Sequence, residues 1–425
     1  MSVNPLLSEE LFQFIWQHRL YSHQALKTTD GEAVTVLHPG IPNHLDGPDF
    51  TAASICIGPT RWSGNIELHI SSSDWYRHAH QHDPRYANII LHVVFYHDNP
   101  DLLFPAPCLE LQQHISKLLL QRYAALKLNA GFVPCHSQAA RISPLHWLSW
   151  QERLLAERWE LKMQRWSALL QKNCHDWESL CYHLLAEGFG QPHNASPMLE
   201  VIKQLPLTLL LRYRYNPELP EALLFGQAGL LSAKFEDPYA LELQQHYRWL
   251  KHKHSLLPMP AHSWKWLRIR PSAFPTMRLA AFAALWTQRP RLFASLAEAT
   301  SIDDLRQLLF VQPSPYWETH YRFDQEVETA HGMGEQALNS LIINMVLPLR
   351  FFYGSRKGSL YLQQQSLEWL LSMPAEDNRI ILKWKQSGIM PANALASQGL
   401  LHLKKYYCDE MRCLHCMIGV KLLGR

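Results

Sequence analysis

Asp49, Glu67 and His69 are the residues whose types and spacing could do chemistry. Asp49 stands in Pro48-Asp49 at the mouth of one β-like run, Phe50–Gly58. Glu67 and His69 lie two apart on the next run, Arg61–Ile70, so they share one face of that strand. A short Pro-containing turn joins the runs, which predicts a hairpin. Such a hairpin sets Asp49 beside Glu67. Two converging carboxylates with a nitrogen base next to them form a divalent-metal hydrolase site. Glu10, in the first predicted helix, is a further acid for it. A rival centre uses imidazoles: His69, His78, His80 and His92, with Asp83 nearby, suit a transition metal acting on a small molecule.

A second group is made of thiols. Cys408, Cys413 and Cys416 fall within nine residues, and Cys135 is the natural fourth ligand, with His136 and His415 as alternatives. Iron–sulfur and zinc both fit such a set. Two basic-aromatic segments follow a third pattern. Arg212 and Arg214 alternate with Tyr213 and Tyr215, while Arg268, Arg270 and Arg278 surround Pro271 and Phe274 next to Trp264 and Trp266. Guanidinium on phosphate and rings on unpaired bases would serve a single strand, though buried arginines paired with carboxylates would read the same.

The elements that must position these groups come in a definite order. Ser8-Glu9-Glu10 caps an amphipathic helix, LFQFIWQHRLY. The strand AVTVLH at 33–38 precedes the hairpin. A helix or loop from Ser73 carries His78, His80 and His82, and YANIILHVVFY at 86–96 reads as a strand buried on both faces. Residues 108–130 are expected to be helical, and the chain after Pro144 is dominated by helices. The expected organisation is α+β: a helix-β-β-β-helix-β core over residues 1–130, a mainly α-helical domain over 131–407, and a cysteine-bearing tail over 408–425 that docks back.

Composition narrows the function classes. With 47% apolar and 18% charged residues, the 425-residue chain is globular in type. A net charge of only +3 means any nucleic-acid surface must be local. No Gly-rich phosphate loop and no Gly-x-Ser-x-Gly elbow occurs. The N-terminus lacks a signal-peptide pattern, and the longest apolar run, 338–349, is short for a membrane span, so a cytoplasmic protein without a membrane partner is expected.

The order helix-β-β-β-helix-β, with Pro-Asp before one strand and Glu-x-His on the next, resembles the PD-(D/E)xK, or restriction-endonuclease-like, nuclease superfamily over roughly the first hundred residues. The resemblance implies that Asp49 and Glu67 hold Mg²⁺ or Mn²⁺ and that His69 stands where the superfamily usually has a lysine that helps orient the attacking water. It implies DNA as partner and phosphodiester hydrolysis as reaction; an inactive, nuclease-derived binding scaffold is the alternative. One upstream and three downstream cysteines are similar to those holding a [4Fe–4S] cluster in some nucleases of that superfamily. At whole-chain scale, GPDF, WSGNIELH, SDWYRHAHQHD, RIRPSAFPTMRLA, PAEDN and the terminal RCLHCMIG resemble a bacterial family known only as domain of unknown function 2851, which implies no activity.

Overall fold

The computed structural model describes residues 7–43, 45–101, 103–129 and 131–424. The chain opens with α1 (Glu9–Gln17), whose first turn is capped by Ser8 Oγ accepting from the Leu11 N–H at 3.2 Å. Strands β1 (Val34–His38), β2 (Ile41–Pro42), β3 (Phe50–Ile57) and β4 (Thr60–Ser71) follow. After the short helix α2 (Asp74–Arg77) come β5 (Ile89–Tyr96), β6 (Cys108–Glu110) and α3 (Lys117–Leu128). The sheet order is β1-β3-β4-β5-β6, with β2 also paired to β3. The β1/β3 and β3/β4 pairs are antiparallel; β4/β5 and β5/β6 are parallel. The fold is thus α+β, with a curled mixed sheet followed by a large helical part.

Residue patterning explains the layering. Leu11, Phe12, Ile15 and Trp16 of α1 and Leu119 and Tyr123 of α3 join Ile66, Leu68, Leu91 and Val93 in one core. The parallel strand β5 is buried along nearly its whole length, as its unbroken apolar run requires. Residues 108–130 are not one helix: Cys108–Glu110 extends the sheet, and α3 starts only after Ser116, whose Oγ accepts from the Leu118 N–H. A three-residue strand carries too short a pattern to announce itself; the partner β5 specifies it.

Two compact units emerge. The first contains the described residues up to Trp150, and takes back Leu382–Met390 and the chain from Leu401 on. Its edge therefore lies beyond the expected position 130, and the segment rejoining it starts earlier than 408. Aromatic packing is the reason: Trp384 meets Phe132 and Trp147, and Tyr407 meets Trp150. The second unit is helical. The long α4 (Pro144–Lys172) enters it, followed by α5 (Trp177–Gly190), α6 (Ala195–Gln204), α7 (Leu207–Arg212), α8 (Glu218–Gln227), α9 (Pro238–His254) and α10 (Pro275–Gln288). The apolar run around 338–349 is part of a continuous 23-residue helical stretch, Glu335–Lys357. That is long and apolar enough by composition to cross a bilayer, but 72% of its apolar window is buried within the protein.

Candidate metal centre

Asp49 and Glu67 meet because of a single irregularity in β3. Ala53 pairs with Gly64, and that register, continued, would set Asp49 opposite Leu68. Between Phe50 and Ala53 the register slips, so Phe50 pairs with Ile66 and Asp49 comes opposite Glu67. Ala52 supplies the extra residue, in the left-handed region at φ 55°. The Asp49 N–H donates to Glu67 Oε2 at 2.9 Å. The Leu68 N–H donates to Asp49 Oδ2 at 3.0 Å, and Gln13 Nε2 to Asp49 Oδ1 at 2.8 Å. Glu67 is 4% exposed. Burial raises both carboxyl groups well above the ordinary carboxylate range, and for Glu67 the neighbouring Asp49 charge raises it further.

The histidines close the same site. Glu67 Oε1 lies 3.7 Å from His69 Nε2 and 3.3 Å from His80 Nε2. One ligand atom each from His69, His78 and His80 lie within 4.8 Å of one another. The Nε2 atoms of His69 and His80 are shut off from solvent and make no hydrogen bond. Orphaned nitrogens facing a carboxylate are what a cation would satisfy. The His78-x-His80 pair is not on extended backbone. Ala79 is left-handed, φ 59° and ψ 28°, and across this turn both rings lie against the ring of His69. Beneath them, His69 Nδ1 lies 2.9 Å from His92 Nε2. A ligand lone pair on His69 Nε2 requires the proton on Nδ1, donated to His92.

Burial, together with the surrounding imidazoles, lowers His69 to about 2 and His92 to about 3. Both rings are therefore neutral, the form that binds metal, and His69 is poorly suited to be the proton-accepting base its position implies. Trp75 packs edge-on to His69, with ring centroids 6.4 Å apart. Asp83 is tied to Arg85.

Glu10 is not brought to this site. Its Oε1 lies 3.4 Å from His415 Nε2, and its charge bears on Cys413. The acid of α1 whose charge reaches Asp49 and Glu67 is Glu9, one residue earlier and about 100° round the helix. Glu9 and Gln13 are four apart and share that face, a signal available from helical periodicity.

The four cysteines do converge, all within the first unit. The Cys408 thiol feels Cys135, Cys416 and Cys413, and Cys135 feels Cys416 and Cys413. Burial pushes Cys135 up to about 12 and Cys416 to about 11. Lys127 donates to the Met411 carbonyl at 3.2 Å, and its charge reaches Cys413. Among the described residues, three or more candidate ligand atoms lie mutually within 4.8 Å only in the histidine trio and in Glu218, Glu242 and His246; the thiols are spread more widely.

The five basic-aromatic candidates lie in the helical unit. Arg212 is exposed at the end of α7, and Arg214 stacks on Tyr215 at 4.6 Å. Arg268 and Arg270 are exposed, whereas Arg278 lies mostly under the surface.

A family model described as protein of unknown function (DUF2851) matches residues 9–379. No curated protein and no solved structure matches the chain.

Proposed function

The chain belongs to the DUF2851 family, whose description names no activity, and we propose from its chemistry that it is a metal-dependent nuclease hydrolysing phosphodiester bonds in DNA. The observation that carries the reading is the meeting of Asp49 and Glu67 across the β3 bulge, with Glu67 Oε1 also facing His69 and His80. The strand order supports it: an antiparallel β1-β3-β4 set with β5 parallel to β4 is the arrangement expected of a PD-(D/E)xK core.

Glu67, His69, His78 and His80 would hold the cation, with Asp49 completing the set. Imidazoles favour Mn²⁺, Fe²⁺ or Zn²⁺ over Mg²⁺, so Mn²⁺ rather than Mg²⁺ is the expected cofactor. Such an ion lowers the pKa of water and offsets charge on the reacting phosphate. The chain's own part is orientation. Gln13 and the Leu68 N–H fix Asp49, and His92 fixes the tautomer of His69. The cysteine set would hold a [4Fe–4S] cluster in preference to zinc, because thiolates on one zinc sit about 3.8 Å apart, given Zn–S bonds of about 2.3 Å, and these sulfurs are wider spread.

The histidine trio also favours a second reading, a metallohydrolase of small phosphodiesters. One experiment serves both. Purified protein is incubated with single- and double-stranded DNA and with a chromogenic phosphodiester, with Mn²⁺, with and without chelator. DNA cleavage that is lost with chelator and in Glu67→Gln supports the nuclease. Turnover of the chromogenic ester alone supports the second reading, and no Mn²⁺-dependent turnover of either removes both.

A further inference from the structure

Charge along the chain is unevenly placed. Residues 243–297 contain no aspartate or glutamate and nine of the 40 lysines and arginines; the rest of the chain then holds 31 basic against 37 acidic residues. A protein of net charge +3 therefore concentrates its positive charge in one segment of the helical unit.

That segment and the end of α7 packed beside it carry aromatic rings at their surface. At the C-terminal ends of α7 and α9, Tyr213 lies 6.0 Å from Trp249, and its hydroxyl is 2.8 Å from His254 Nε2. Lys253 Nζ sits 4.5 Å from the centre of the Trp249 ring. Trp249 is 49% exposed and Tyr215 85% exposed, each with a cation against it. Large rings gain nothing in the fold by facing water, and a cation beside each makes it a place for a base with its phosphate.

The stretch 264–278 adds a second observation. The Arg322 guanidinium lies 4.5 Å from both the Trp266 and Phe274 rings. Arg278 stands one helical turn after Phe274. The Nε atoms of Arg322 and Arg278 are closed to solvent without a hydrogen-bond partner, and neither residue pairs with a carboxylate among the described residues. Both side chains are half-buried, and phosphate oxygens match the geometry of a guanidinium.

We infer that the helical unit binds single-stranded nucleic acid, with unpaired bases stacked on Tyr215 and Trp249 and phosphates on the basic groups of this segment. The inference deepens the nuclease reading and rests on it for its role, but binding is measured separately. A duplex would keep its bases from those rings.

Full-length protein in chelator, which prevents hydrolysis, is titrated into a labelled oligothymidylate, a duplex of equal length, heparin and anionic phosphatidylserine vesicles. The vesicle arm is needed because Leu257 and Leu267 are also exposed. Tight, salt-sensitive binding of the single strand is expected. Tyr215→Ala with Trp249→Ala should weaken it at least about ten-fold and leave heparin binding unchanged. Arg268→Gln with Arg270→Gln should weaken both ligands and flatten the salt dependence. These residues are exposed, so the variants keep the fold. Equal affinity for duplex, preference for vesicles, or indifference to the ring variants would overturn the inference. Turnover of the chromogenic phosphodiester with Mn²⁺ reports on the metal site independently of all these outcomes.

Discussion

The carboxylate–imidazole centre and the cysteine set occupy the same unit but are built by opposite means. Asp49, Glu67, His69 and His92 come from adjacent strands, and their meeting is decided by register. Cys135 and the 408–416 cysteines are separated by some 270 residues and meet because the chain's end returns. The first centre offers hard and borderline ligands, with exposed His78 at its rim. The second offers only soft ligands, Cys413 and Cys416 buried and Cys135 and Cys408 half-buried. An open position is what chemistry needs, and a closed one is what holds a fold together. On the proposed reading, the first centre carries the reaction and the second holds the fold.

The sharpest way to break that assignment is Cys413→Ser. If the thiols hold a structural cluster, losing one ligand should destabilise the first unit by at least ~3 kcal/mol, because metal binding in such sites is folding free energy. Thermal unfolding and iron and zinc content check this; full content or unchanged melting would mean the cysteines are ordinary core residues. Glu67→Gln should do the reverse, abolishing Mn²⁺-dependent hydrolysis while leaving the metal-free fold intact or firmer.

The sign of the second effect can be followed with pH. Both acids are held above their ordinary values of 3.8 and 4.5. The folded state therefore keeps protons that the unfolded state releases. The acid pair alone favours the folded metal-free protein as pH falls from neutral towards about 4.5, whereas His69 and His92, kept neutral, oppose it below their ordinary 6.5. The melting temperature of wild type minus that of Glu67→Gln isolates the acid and should fall as pH rises over this range. A difference that stays flat or rises with pH would contradict the buried acid pair.

Replacing Ala52 tests register directly. Ala52→Val, whose branched side chain resists the positive φ, should straighten the bulge and move Asp49 opposite Leu68. Mn²⁺ affinity measured by calorimetry should then fall at least ten-fold, while Ala52→Gly, which accepts the same positive φ, retains it. The smallest effect is expected of Ala79→Gly. It removes a left-handed cost of about 1 kcal/mol but frees the turn that holds His78 and His80. Metal affinity should then drop by a few-fold with little change in melting temperature.

How much of this was legible in the sequence depends on what fixes each residue. Strand alternation alone puts Glu67 and His69 on one face, and a hairpin puts Asp49 near them. The bulge was hidden, because alanine rather than glycine takes the left-handed position. The difference between Glu9 and Glu10 was hidden too, since a helix's phase is not given by its apolar positions to within one residue. The fourth cysteine could be reached by counting ligands. The return of Leu382–Met390 and of the chain from Leu401 to the first unit could not, because Trp384 and Tyr407 only reveal their partners once the chain is folded. The basic segment was visible as charge, but its motifs alone did not show that it lacks acids from end to end.

Adjacent residues of α1 look toward different centres, Glu9 toward the carboxylate pair and Glu10 toward His415 and Cys413. Any trimming of the chain that unravels the turn held by Ser8 would disturb both at once. For anyone preparing shortened versions of this protein, the start of that helix is the wrong place to cut.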